Sequence, residues 1–195
     1  MRRGPGGDLN MLHTLAVYVE DKPGVLNRIA SLFRRRAFNI DSLTVGHTET
    51  PGVSRMTIVC DVDDTSARRV ESNVYKLVNV LRVDDLTRVP SLERELAMIK
   101  VTATPESRTQ IMQLVGVFRA RVVDVSAETL IVETTGTEEK IDRLLDVLRP
   151  YGIIEMARTG RVAMARGARP APTVEDRFAG IDSDPDAGET LAYSV

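Results

Sequence analysis

Leu15-Ala16-Val17-Tyr18-Val19-Glu20-Asp21-Lys22-Pro23-Gly24-Val25-Leu26 carries the deciding pattern of this chain. Leu15, Val17 and Val19 alternate with Ala16 and Tyr18, the period-two signature of a half-buried strand. The Pro-Gly pair ends that strand. From Val25 to Arg36 the apolar residues then fall at 25, 26, 29, 32 and 33, the spacing of an amphipathic helix. A strand that feeds straight into a helix start leaves bare amides at the positive end of the helix dipole, where a small anion such as a carboxylate can sit. A plain strand-to-helix turn explains the same pair, since Pro23 fixes its φ and Gly24 tolerates unusual angles and can serve as N-cap. The residues alone leave both readings open.

Working outward, Ile40 to Val45 reads as a second strand and Thr48-Glu49-Thr50-Pro51-Gly52 as a hairpin turn. Met56, Ile58, Cys60 and Val62 alternate in a third strand. A helix from Asp64 carries Val70, Val74, Leu77 and Val78, and Val80 to Leu86 is a fourth strand. The order is βαββαβ. After a linker at 88–94 it repeats: strand Leu96 to Thr102, a helix with Pro105 at its first position, strands Arg121 to Val125 and Thr129 to Thr134, a helix opened by Gly136-Thr137-Glu138, and a last strand from Ile153 to Ala157. The fold class expected is α+β, with two ferredoxin-like βαββαβ sandwiches in tandem. The domains are read as 1–11 a loose leader, 12–87 the first unit, 88–94 the linker, 95–165 the second unit and 166–195 a disordered acidic tail. Each unit leaves one sheet face bare, which favours dimerisation or partner binding.

Composition narrows the function. Apolar residues make up 43% of the 195-residue chain, enough for a real core. The net charge of −2 supplies no basic field to recruit nucleic acid or an anionic membrane. Aromatic content of 4% leaves few platforms for stacking bases, and the third strand has none, against an RNA-binding sandwich. Cys60 is the single cysteine, so an intrachain disulfide and a cysteine metal site are excluded, and a reducing cytoplasm fits. No apolar run has the length of a membrane span or a signal peptide. His13 and His47 lack acidic or cysteine companions nearby in sequence, so metal binding and a triad are not supported, and no catalytic residues are assigned. Arg34-Arg35-Arg36 reads as a solvated helix end.

Asp21 offers an acceptor beside the Pro-Gly turn, and Asn39 offers both a donor and an acceptor at the far end of the same helix. A helix of about 12 residues spans roughly 18 Å, too far for Gly24 and Asn39 of one chain to touch one small ligand. If both bind it, they come from different subunits.

The runs Glu20 to Leu26, Phe38-Asn39-Ile40-Asp41-Ser42-Leu43-Thr44-Val45 and Ser54-Arg55-Met56-Thr57-Ile58 resemble the ACT domain of acetolactate synthase (acetohydroxyacid synthase) small regulatory subunits. Leu77 to Val83, Arg94 to Val101, Phe118 to Ser126 and Glu155 to Gly160 follow the same family in order over about 12–167. The resemblance implies an N-terminal ACT domain and an ACT-like C-terminal domain that helps to activate a large catalytic subunit. It implies a homodimer through the ACT domains, with a branched-chain amino acid, usually valine, bound between them. The family's contacts fall on Asp21, Gly24, Val25 and Leu26 of one chain and on Asn39 and Ile40 of the other. No cofactor is expected in this chain; thiamine diphosphate, Mg and FAD belong to the catalytic partner. The alternative is a free-standing ACT amino-acid sensor acting on another partner. Ala37 stands where the family commonly has glycine; a positive φ there costs alanine about 1 kcal/mol.

Overall fold

The structure, a computed structural model, describes residues 11–167. The first unit runs β1 (Met11–Glu20), α1 (Val25–Arg35), β2 (Ile40–His47), β3 (Val53–Val62), α2 (Asp64–Tyr75) and β4 (Val80–Asp85). The second runs β5 (Ser91–Thr102), α3 (Pro105–Val117), β6 (Arg121–Val125), β7 (Thr129–Gly136), α4 (Glu138–Leu148) and β8 (Ile153–Arg158), and β9 (Val162–Ala165) follows. The sheets are antiparallel, in the orders β2-β3-β1-β4 and β6-β7-β5-β8, so the two units share one topology.

Each unit buries its own core between helices and one sheet face. Leu15, Val17, Val19 and Ile58 meet Ile29, Phe33 and Val70 in the first; Ile99, Val101 and Leu130 meet Ile111, Ile141 and Leu148 in the second. Burying each such side chain contributes about 1.5–3 kcal/mol. The 3.6-residue spacing read for α1 holds at Val25, Ile29, Leu32 and Phe33, all buried, whereas Leu26 is exposed. In α2 the spacing holds at Val70 and Val74, but the helix ends at Tyr75; Val78 lies beyond it, 64% exposed.

α1 and α3 end in the same way. Ala37 and Arg119 take φ 55° and 50°, the left-handed conformation. Phe38 N–H donates to Phe33 O (3.0 Å) and Ala37 N–H to Arg34 O (3.1 Å); Ala120 N–H donates to Val115 O (2.9 Å) and Arg119 N–H to Gly116 O (3.0 Å). These paired bonds are the Schellman motif, here without its usual glycine. Phe33 and Phe38 supply its apolar contact, edge to face at 6.4 Å.

Several boundaries differ from the sequence reading. Ser91–Arg94, expected as the end of a linker, are strand: β5 starts at Ser91 and pairs there with β9. β9 itself went unread, and it continues the line of β8 along β5. The chain advances four residues from Arg158 to Val162 while β5 advances three from Ala97 to Arg94, so residues 159–161 form a bulge. β9 also supplies cover that was expected from a partner: Ala163, Ala16 and Leu86 pack together on the first sheet's outer face, with Tyr18 and Ala165 beside them. Met11, assigned to the leader, pairs with Val62. The rest of the leader and the tail from 168 lie outside the described residues. Among those residues, no helix is long and apolar enough to cross a membrane.

Candidate functional site

The four α-helices among the described residues differ in how they begin. Asp63, Thr104 and Thr137 cap α2, α3 and α4, their side chains accepting from Ser66 N–H (2.8 Å), Ser107 N–H (3.3 Å) and Lys140 N–H (3.4 Å). Each of those helices also has an acid in its first turn. α1 has neither. Its N-cap is Gly24 at φ 83°, ψ −4°, with no side-chain cap and no acidic residue in the first turn. The left-handed angle explains the glycine, because a Cβ there would be strained even though the space around it is open. The first helical bond is Arg28 N–H to Gly24 O, 3.0 Å. The α1 mouth therefore keeps the positive partial charge, about half an elementary charge, that the other helices offset internally.

The turn is anchored from below. Glu20 is almost fully buried, and its carboxylate accepts from Asn79 Nδ2 (2.6 Å) and Lys22 Nζ (2.8 Å). Asn79 Oδ1 in turn accepts from Arg28 Nη1 at 2.6 Å. Asp21 N–H donates to Gly52 O (2.8 Å), tying the turn to the β2–β3 hairpin. Sequence reasoning missed Glu20, Asn79 and Arg28 as a set, because 59 residues separate Glu20 from Asn79.

Asp21, Gly24, Val25 and Leu26 thus stand together. Val25 packs its side chain into the core and its amide closes the turn onto Lys22 O at 3.4 Å, so Leu26 and the unforeseen Asn27 present the outer amides of the mouth. Leu26 is 43% exposed there, an apolar surface beside a polar one. Asn39 is exposed beyond the other end of α1, and Ile40 opens β2 opposite Cys60, half-buried against the core. The 11 residues of α1 put about 16 Å between the groups. Within one chain the structure does not bring them together. The residue that does approach Asp21 from β2 is His47 at its far end, with Nδ1 3.5 Å from Asp21 Oδ2.

His13 has companions that its sequence neighbourhood hid. Its ring is buried under the α2 start, with Asp64 Oδ1 3.4 Å from Nε2, Asp85 Oδ2 3.6 Å from Nδ1 and Cys60 opposite on β3. Among the described residues, no group of three or more His, Cys, Asp or Glu can hold a metal ion. Burial first, and Asp85 and Asp61 after it, push the Cys60 thiol up to about 12, so it is inert at neutral pH.

Residues 15–82 match a family model described as an AHAS small subunit-like ACT domain, and residues 94–167 match one described as the small subunit of acetolactate synthase. A probable acetolactate synthase small subunit of Archaeoglobus fulgidus is 54% identical over 157 residues, 80% of this chain and 98% of the relative. The acetolactate synthase small subunit of Mycolicibacterium smegmatis is 53% identical over 157 residues, 80% of this chain and 92% of that one. The crystal structure of the acetolactate synthase small subunit from Thermotoga maritima superposes with a TM-score of 0.75 at 42% identity, covering 82% of this chain and 99% of that one.

Proposed function

The chain belongs to the acetolactate synthase small subunit family, and we propose that it binds and activates a thiamine-diphosphate-dependent catalytic subunit and confers feedback inhibition by valine, leucine or isoleucine. The observation that carries this reading is that both units match, in order, models of the same family. A free-standing ACT sensor has no need of the second match.

The effector site proposed is shared between two chains. β2 is an edge strand, so its outer backbone groups are open to a second copy. Antiparallel pairing of two β2 edges about a twofold axis sets the Ile40 end of one strand opposite the His47 end of the other. That places Asn39 and Ile40 of one chain beside Asp21, Gly24, Val25 and Leu26 of the next. The amides of the α1 mouth then receive the effector carboxylate, Asp21 and Asn39 its ammonium, and Leu26 and Ile40 flank its side chain. The effector acts by binding one arrangement of the dimer better than another.

The test is to mix the chain with its catalytic subunit and follow acetolactate formation with and without L-valine. A raised basal rate and a valine-dependent fall are expected. No change of rate and no valine response would sink the proposal.

A further inference from the structure

We propose that Arg158, Thr159, Gly160 and Arg161 form a relay that carries the position of β2 in the first unit to β5 and α4 in the second. The relay rests on the effector reading above, because β2 begins at Ile40, beside Asn39. Its role is to transmit effector binding, and it takes no part in holding the effector.

On the first unit, the relay lies against Ser42 and Thr44 of β2. Thr44 Oγ1 donates to Thr159 O at 3.1 Å and lies 3.4 Å from Arg161 O, while Arg161 N–H donates to Ser42 Oγ at 3.4 Å. Gly160 passes so close that a Cβ built on it would lie 2.9 Å from Ser42 Cβ, and its φ of 80° is one that side chains avoid. Packing this tight does not absorb a shift of β2; the displacement passes on.

On the second unit, the same four residues are held by charge and backbone bonds. Arg158 donates through Nε and Nη2 to Glu95 (2.8 and 2.7 Å) and through Nη1 to Asp142 of α4 (2.9 Å). Thr159 N–H donates to Leu96 O at 3.0 Å, and Leu96 N–H to Thr159 Oγ1 at 3.1 Å. Arg161 spans both units: Nη2 reaches Glu138 of α4 (2.9 Å), and Nη1 reaches Thr14 of β1 (2.9 Å) with Glu93 of β5 at 3.5 Å. Both guanidinium groups are largely buried, so moving either one off its partners is costly, and such networks switch between discrete arrangements.

The units also meet at β9, where Ala163 packs on Ala16 and Leu86 and its carbonyl accepts from Arg55 Nη2; the relay is the contact that reaches Ser42 and Thr44. A polar cleft of about 480 Å³ opens here between the units, with Asp41, Ser42 and Leu43 on one wall and Glu95 and Glu138 on the other. Arg158, Thr159, Gly160 and Arg161 line the same cleft and reach both of its walls.

Thr44→Val removes the hydroxyl contacts at nearly constant shape, and Ser42→Ala is the milder companion variant. Each full-length variant is measured for L-valine binding to the small subunit by calorimetry and, with the catalytic subunit, for inhibition of acetolactate formation by L-valine. Allosteric coupling ordinarily amounts to about 5–150-fold. Both variants are expected to bind L-valine within about twofold of the wild type while the inhibitory factor falls at least about fivefold, the lower end of that range. Inhibition unchanged in both variants overturns the relay. So does loss of binding in step with loss of inhibition, which would make β2 Ser42 and Thr44 part of the site itself. A wild-type chain that neither binds nor responds to L-valine overturns the effector reading, and the relay with it.

Discussion

The two units are copies in topology and opposites at one point. α1 and α3 follow equivalent strands, pack on equivalent sheet faces and end in the same Schellman motif, at Ala37 and Arg119. Their beginnings differ. Thr104 and Glu106 serve the α3 start from within, with Pro105 at the first position. Gly24 gives the α1 start no side-chain cap and no charge, while the buried Glu20, with Asn79 and Arg28, anchors the turn. The difference shows where this chain forgoes local helix stability. A cap is worth about 1 kcal/mol, and its absence leaves the α1 amides open to the external carboxylate proposed above.

The sharpest way to break the comparison is to put a carboxylate into the open mouth. Gly24→Asp supplies an internal anion where the effector's carboxylate is proposed to bind, and the two repel. The L-valine concentration for half-inhibition is expected to rise at least about 100-fold, on the order of 3 kcal/mol. Thr104→Asp at the matching point of the second unit should leave that response unchanged. Normal inhibition of the Gly24→Asp variant would refute the pocket.

Next in size is the cap itself. Thr104→Ala should destabilise the chain by about 0.5–2 kcal/mol, read from the urea midpoint at constant slope. Gly24→Ala tests the same contrast from the other side. It removes no cap, yet it forces a Cβ into φ 83°, so its expected cost of about 1 kcal/mol is backbone strain alone. An effect of Thr104→Ala indistinguishable from zero would mean that the two helix starts are equivalent after all.

At the helix ends the units should agree. Ala37→Gly and Arg119→Gly relieve left-handed strain, and each is expected to stabilise by about 0.5–1 kcal/mol. The consequence for Ala37, conditional in the sequence, is set by its observed φ of 55°. A gain at Arg119 with none at Ala37 would show that the Phe33–Phe38 contact, and not the backbone angle, dictates the α1 exit.

Much of this was legible in the sequence, and the gaps have physical causes. Local periodicity placed β1, α1, β3, β7 and α4 because the core-facing residues of each are apolar at regular spacing, although β1 and β3 are buried on both faces. β9 escaped because four residues, with exposed Val162 and Met164 alternating with Ala163 and Ala165, carry too little contrast; pairing with Ser91–Arg94 makes it a strand. Pro90 and the charges of Glu93 and Arg94 disguised the start of β5 for the same reason. The site was half legible. The Pro-Gly turn and the helix length gave its parts and their separation. The Glu20–Asn79 anchor and the His13–Asp64–Asp85 cluster join residues far apart in sequence, which no local pattern reveals.

The smallest expected effect separates the caps by their chemistry. Asp63 caps α2 with a group that titrates, whereas Thr104 and Thr137 cap with groups that do not. The Ser66 amide, chief among its partners, holds the Asp63 carboxyl below the usual carboxylate range. A group whose pKa is depressed by folding stabilises fully above its unfolded value, ordinarily about 3.9 for Asp, and loses that contribution as pH falls through the folded value. Asp63→Asn keeps a capping oxygen but no ionisable group. Stability measured by urea from about pH 6 down to pH 2 should therefore fall less steeply for Asp63→Asn than for the wild type below about pH 4, with the curves parallel above it. Thr137→Asn, which changes a cap that does not titrate, should leave the acid slope as it is. Equal slopes for the wild type and Asp63→Asn would show that the first unit's cap draws nothing from its charge, and that the two units begin their second helices by the same physics.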